Sequence, residues 1–208
     1  MITSAENKNK EITMYYLHKY TGTASELLMA TEIELDFEES YYNRKIIKHH
    51  ENSRRTMRGA DRSCFHRGIA KYTIGDHKGA LDDLNRAIDM NPRNAEAYCL
   101  RGFIKSRSCV KGEKQAIEDF NRAIEIDPVY AEAYCNRGDA KVFHGDYKKA
   151  IEDLTRAVEL DPEYGEAYKI RGFAKYIYGD KGGACLDWLR AANLKVNGVD
   201  ELIENYFC

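Results

Sequence analysis

Four Arg-Gly pairs punctuate the chain: Arg67-Gly68, Arg101-Gly102, Arg137-Gly138 and Arg171-Gly172, at intervals of 34, 36 and 34 residues. The three prolines of the 208-residue chain, Pro92, Pro128 and Pro162, are separated by 36 and 34. Self-similarity at such a period means a stack of like units, none of which can bury its apolar side alone. The two surplus residues fall in "SCVKGEKQ", Ser108–Gln115, in a turn where added length costs little.

Each unit reads as two amphipathic helices. In the third, Ala133, Tyr134, Ala140 and Phe143 mark the first helix, and Ala150, Leu154, Ala157 and Val158 mark the second by i, i+4, i+7, i+8 spacing. "HGD" lies between them: Gly145 suits the positive φ that ends a helix, and Asp146 suits the start of the next. Asp161-Pro162 ends the unit, because proline lacks an N–H and constrains its predecessor. Small residues form columns where helices must approach: Gly68, Gly102, Gly138 and Gly172, then Ala80, Ala116, Ala150 and Ala184, then Ala87, Ala123, Ala157 and Ala191. Leu84, Phe120, Leu154 and Trp188 fill the space between, so the single tryptophan is expected in the core.

These columns in register resemble the tetratricopeptide repeat (TPR) family over residues 61–198, and the Arg-Gly pair resembles a TPR variant with arginine in place of leucine. The fourth unit departs from the pattern, with Val196 where proline is expected. The resemblance implies an all-α fold, a right-handed α-solenoid of antiparallel helix pairs with units at 61–94, 95–130, 131–164 and 165–198. Residues 1–60 read as a non-repeat helical cap, and 199–208, with Val199, Leu202, Ile203 and Tyr206 on one face, as a short closing helix.

Every arginine of the pairs has an aspartate in the second helix of its unit: Arg67 with Asp83, Arg101 with Asp119, Arg137 with Asp153, Arg171 with Asp187. A carboxylate for each arginine argues for internal pairing over a ladder that captures acidic partners.

The formal net charge of -2 and the even split of residues 1–60, nine basic against nine acidic, argue against a nucleic-acid binder. Glu26, Glu32 and Glu34 would also repel phosphates from a helix in that segment. His49-His50 point to different helical faces and lack companion ligands, so no metal is expected. Six cysteines without a C-x-x-C read as reduced structural thiols, Cys64, Cys99 and Cys135 following the repeat. No signal-peptide or membrane-spanning run occurs, so a cytoplasmic protein without membrane insertion is expected. Phosphate-loop, G-x-S-x-G and H-E-x-x-H motifs are absent; neither enzyme activity nor a cofactor is expected.

In stacked helix pairs the first helix of each unit forms the inner surface, and the TPR resemblance implies that this groove holds a peptide or helix of another protein. By register the groove comprises Phe65, Ile69 and Tyr72; Leu100, Phe103 and Arg107; Glu132, Asn136, Asp139 and Phe143; Lys169, Ile170, Phe173 and Tyr176. The TPR class that grips chaperone C-terminal carboxylates uses Lys, Asn and Arg at groove positions. Here Phe65, Ile69, Leu100, Glu132 and Asn136 stand there, which disfavours that role. An apolar groove flanked by Glu96, Glu132 and Glu166 suits an amphipathic helix or extended peptide carrying basic residues. The expectation is a protein-interaction scaffold or adaptor. The alternative is a self-associating protein whose groove holds a terminal segment of its own or a neighbouring chain.

Overall fold

The computed structural model describes residues 60–108 and 112–207. Nine helices follow one another among them: α1 (Ala60–Thr73), α2 (His77–Met90), α3 (Ala95–Ser108), α4 (Gly112–Ile126), α5 (Ala131–Phe143), α6 (Tyr147–Leu160), α7 (Gly165–Tyr178), α8 (Lys181–Asn193) and α9 (Val199–Phe207). The expected cap over residues 1–60 lies outside the described residues, Ala60 excepted.

Local chemistry sets the helix boundaries. Asp76 and Asp180 cap α2 and α8, each accepting the backbone N–H three residues on at 2.9 Å, and Asp146 caps α6 in the same way at 3.5 Å. Gly145, at φ 78°, takes the left-handed turn between α5 and α6 that a side chain would resist. Asp161 ends α6 in an extended conformation (φ −135°, ψ 93°), as the following proline requires.

Close packing within each hairpin explains the small-residue columns. A Cβ built on Gly172 would stand 2.5 Å from Trp188 Nε1, and one on Gly138 would stand 2.7 Å from Leu154 Cγ. Only a hydrogen at those positions lets the two helices lie this near. Ala80, Ala116, Ala150 and Ala184 are fully buried, as are Ala87, Ala123, Ala157 and Ala191. Trp188 is buried too, its Nε1 donating to Lys169 O at 3.1 Å, so its one polar atom is satisfied.

The hairpins are α1–α2, α3–α4, α5–α6 and α7–α8, and the second helix of each packs on the first helix of the next. First helices also touch their successors, α3 with α5 and α5 with α7, more closely than second helices touch theirs. That asymmetry bends the stack into an α-solenoid with the first helices on its inner side. Apolar clusters run through it, one centred on α1–α3 and one continuing from α3 to α9. At the far end α9 buries Val199 and Leu202, and its Tyr206 ring sits 5.1 Å from Tyr176 and 6.1 Å from Trp188. No helix among the described residues is long and apolar enough to cross a membrane.

Candidate interaction surface

The arginine of each pair lies on the side of its first helix that meets the second. Arg137 Nε and Nη2 donate to the two carboxylate oxygens of Asp153 at 2.8 and 2.7 Å, a forked geometry matched to the planar guanidinium. Arg67–Asp83, Arg101–Asp119 and Arg171–Asp187 repeat it, with Nε contacts of 2.6, 3.0 and 2.8 Å. All four aspartates are buried. Their charge is therefore spent inside the hairpins and offers nothing to a partner.

Two further members of this network escaped the reading of the sequence. Lys71, Lys105, Lys141 and Lys175 add a second cation to each aspartate at 2.6–2.9 Å. The spacing Arg-x-x-x-Lys recurs in every unit and was legible. Each later arginine also reaches back one repeat: Arg101 Nη1 donates to Asn85 at 2.8 Å, Arg137 to Asn121 at 2.7 Å, Arg171 to Thr155 at 3.3 Å. The same guanidinium groups lie 5.3–5.5 Å from the ring centres of Tyr98, Tyr134 and Tyr168. The network thus ties neighbouring repeats as well as the helices within one. At the first repeat, hydrogen bonds from Arg67 hold the Asp83 carboxyl well below the usual carboxylate range, outweighing the burial that would raise it, and Lys71 assists.

The inner face lies on the opposite side of the first helices. With Gly138 set against α6, Glu132, Asn136, Asp139 and Phe143 fall about 100–160° round the helix, at roughly 100° per residue. The same offsets from Gly102 place Glu96, Leu100, Phe103 and Arg107 there, and from Gly172 place Glu166, Ile170 and Phe173 there.

Burial is uneven among the residues that register assigns to this face. Phe65, Leu100, Phe103, Glu132, Asn136, Asp139, Lys169, Ile170 and Phe173 are all buried. Ile69, Tyr72, Arg107, Phe143 and Tyr176 keep partial exposure. Part of the reason is lateral. Arg107 Nη2 pairs with Asp139 of the next repeat at 3.4 Å, and Asn136 Nδ2 reaches back to Cys99 Sγ at 3.4 Å. Tyr72 packs edge-on against Phe103 at 6.0 Å. Glu132 accepts the Tyr130 hydroxyl at 2.9 Å, and Lys169 Nζ donates to Asn197 O at 2.9 Å. These groups serve the stack first. Asn136 Oδ1 remains buried without a hydrogen-bond partner.

Comparison with known proteins agrees with this architecture. The tetratricopeptide repeat family matches residues 61–94 and 131–164, and a further TPR repeat description matches 114–142. Among curated proteins, the TPR repeat-containing protein MJ1428 of Methanocaldococcus jannaschii is 30% identical over 107 residues, 47% of this chain. The match spans 19% of that relative's length. A crystal structure of MamA superposes with a TM-score of 0.57 at 25% identity, covering 65% of this chain and 73% of that one. TTC0263, a thermophilic TPR protein of Thermus thermophilus, superposes with a TM-score of 0.62 at 20% identity, covering 70% and 82%. The in-register glycine and alanine columns, the curved stack of hairpins and these matches agree: residues 61–94 and 114–164 carry tetratricopeptide repeats.

Proposed function

We propose that this protein is a protein-interaction scaffold or adaptor whose inner face receives a peptide or amphipathic helix from a partner. The observation that carries this reading is the composition of one continuous face. Glu96, Glu132 and Glu166 recur on it one per repeat near the start of their helices, Phe143 keeps a partly exposed ring toward the far end of α5, and Tyr72 and Tyr176 are partly exposed nearer the hairpin seam. Aromatic rings give apolar contact at low entropic cost, and an acidic row selects a segment with basic side chains. A chaperone-type C-terminal carboxylate suits the face poorly, because Glu132 would repel it.

The test compares proteins captured by the full chain with those captured by Tyr72→Ala/Phe143→Ala. These two side chains are only partly buried, so the variant is expected to keep its fold, checked by helical circular dichroism. Loss of the wild-type partners supports the reading; an unchanged set with a folded variant places binding elsewhere. Phe103 and Phe173 are poor choices, because a carboxylate at either buried site would unfold the stack.

A further inference from the structure

The outward stripe of each second helix runs through positions i, i+4, i+7 and i+11, which fall within about 60° of one another at roughly 100° per residue. On α6 these positions carry Lys148, Glu152, Thr155 and Glu159. On α2 and α4 they carry a lysine, an acid, an asparagine and an acid, from Lys78 to Asp89 and from Lys114 to Glu125. On α8 the same four places hold Gly182, Leu186, Leu189 and Asn193, and every charge is gone. Leu186 is 69% exposed and Leu189 45%. Gly182 is exposed too, lies inside the helix without a positive φ, and a Cβ there would meet nothing within 4 Å. Neither the backbone nor the packing of the described residues calls for glycine at a place where the other hairpins carry lysine, a better helix former.

The spacing has a meaning of its own. Steps of four, three and four residues trace the seam of a two-stranded coiled coil, with Leu186 and Asn193 at a positions and Gly182 and Leu189 at d positions. An asparagine at a single a position favours pairing with its own copy in a parallel dimer and fixes the register. The flanks suit the same arrangement. Leu189 stands on the side of the stripe that faces the next element, because its counterparts Asn85, Asn121 and Thr155 receive the arginine of the following repeat. After α8 that element is α9, whose charged residues, Asp200, Glu201 and Glu204, are all acidic and all exposed. Arg190 stands on the opposite flank and reaches back to Pro162 O at 3.3 Å. A two-fold axis along α8 sets the Arg190 flank of each copy against the α9 flank of the other, cation toward carboxylates.

We propose that two copies of this chain associate through their α8 helices, parallel and stripe to stripe, with Leu186, Leu189 and Asn193 meeting their counterparts across the two-fold axis. The contact lies on the outer surface and leaves both inner faces untouched, so it stands independently of the adaptor reading. A pair of inner faces held together gives a multivalent partner a second, effectively intramolecular, binding event. The 13 residues of α8 span about 20 Å. A stripe of that length and about 10 Å wide falls well short of the roughly 800 Å² per partner of a standard interface. The dimer is therefore weak, half-formed at about 10–100 µM.

Sedimentation equilibrium of the full chain under a reducing agent, from about 1 to 500 µM, tests this. The wild-type mass is expected to rise from 23.9 kDa toward twice that value. The variant Gly182→Lys/Leu186→Glu/Leu189→Thr gives α8 the residues that α6 carries at the same register, at sites open to solvent, so its helicity and urea midpoint should hold. It is expected to stay monomeric over the whole range. Asn193→Leu works in the other direction: removing the polar a-position residue should tighten association about tenfold, a gain that damage to the fold cannot produce. A wild type that is monomeric at the highest concentration overturns the proposal, as does a folded triple variant that dimerises like the wild type. Wild-type species larger than a dimer overturn the two-fold arrangement, and Asn193→Leu without tighter association overturns the parallel seam.

Discussion

Asp153→Ala is expected to destabilise the stack more than removal of the whole ionic group around it. Asp153 is buried and accepts three charged hydrogen bonds, two from Arg137 at 2.8 and 2.7 Å and one from Lys141 at 2.6 Å. Its removal leaves two cations side by side with no counter-charge. Breaking a buried ion pair from one side costs about 3–5 kcal/mol. Both cation side chains are 18% exposed and regain some hydration, so the lower part of that range, about 3 kcal/mol, is the working figure. The comparison is the triple variant Arg137→Met/Lys141→Met/Asp153→Leu, which removes the charges together and keeps apolar volume. It also forfeits the Arg137 contacts to Asn121 and to the Tyr134 ring, worth about 2 kcal/mol in all at the low end. Urea midpoints and slopes give the free energies, the slope showing whether the repeats still unfold together. A triple variant that loses as much as Asp153→Ala would refute the claim that the unpaired cations, rather than the lost contacts, carry the cost.

Acid should unload the first of these networks in a defined window. The Asp83 carboxyl is depressed in the folded chain by Arg67 and Lys71, so its contribution is complete above the unfolded value of about 3.9 and fades as pH falls below it toward the folded one. The melting gap between wild type and Asp83→Asn should therefore be constant from neutral pH down to about 4 and shrink below that; a gap that keeps its size at about pH 2.5 rules this out. Gly172→Ala should cost about 1–3 kcal/mol, because the added Cβ would press on Trp188 Nε1 and Cδ1 at 2.5 and 2.6 Å and dislodge its bond to Lys169 O. A red-shifted tryptophan emission is the local signature, and unchanged emission and midpoint would contradict it.

Repetition made the hairpins legible. A glycine facing a large apolar residue, an alanine facing a helix backbone and a proline after each second helix are local requirements, and four copies in register leave little freedom about where helices begin and end. The Arg67, Arg101, Arg137 and Arg171 partnerships were readable for the same reason, since both ends of each pair recur at fixed spacing. The lysines four residues beyond were equally periodic and were passed over, because the spacing of an arginine and an aspartate does not reveal that one carboxylate has room for two cations. The links from Asn85, Asn121 and Thr155 to the next repeat were harder. They join positions whose nearness depends on how one hairpin sits on another.

Accessibility of the inner face belongs to the tertiary structure. Register placed Phe103, Asn136, Asp139 and Phe173 on one side of their helices, away from the partner helix, and all four are buried. Whether such a side is open is a property of everything that lies against it. The pairing of Arg107 with Asp139 across repeats and the lean of Tyr72 on Phe103 arise from contacts between residues distant in the chain. Helical periodicity reports which way a side chain points within its own element. What it meets at the end of that direction is decided only when the elements are assembled.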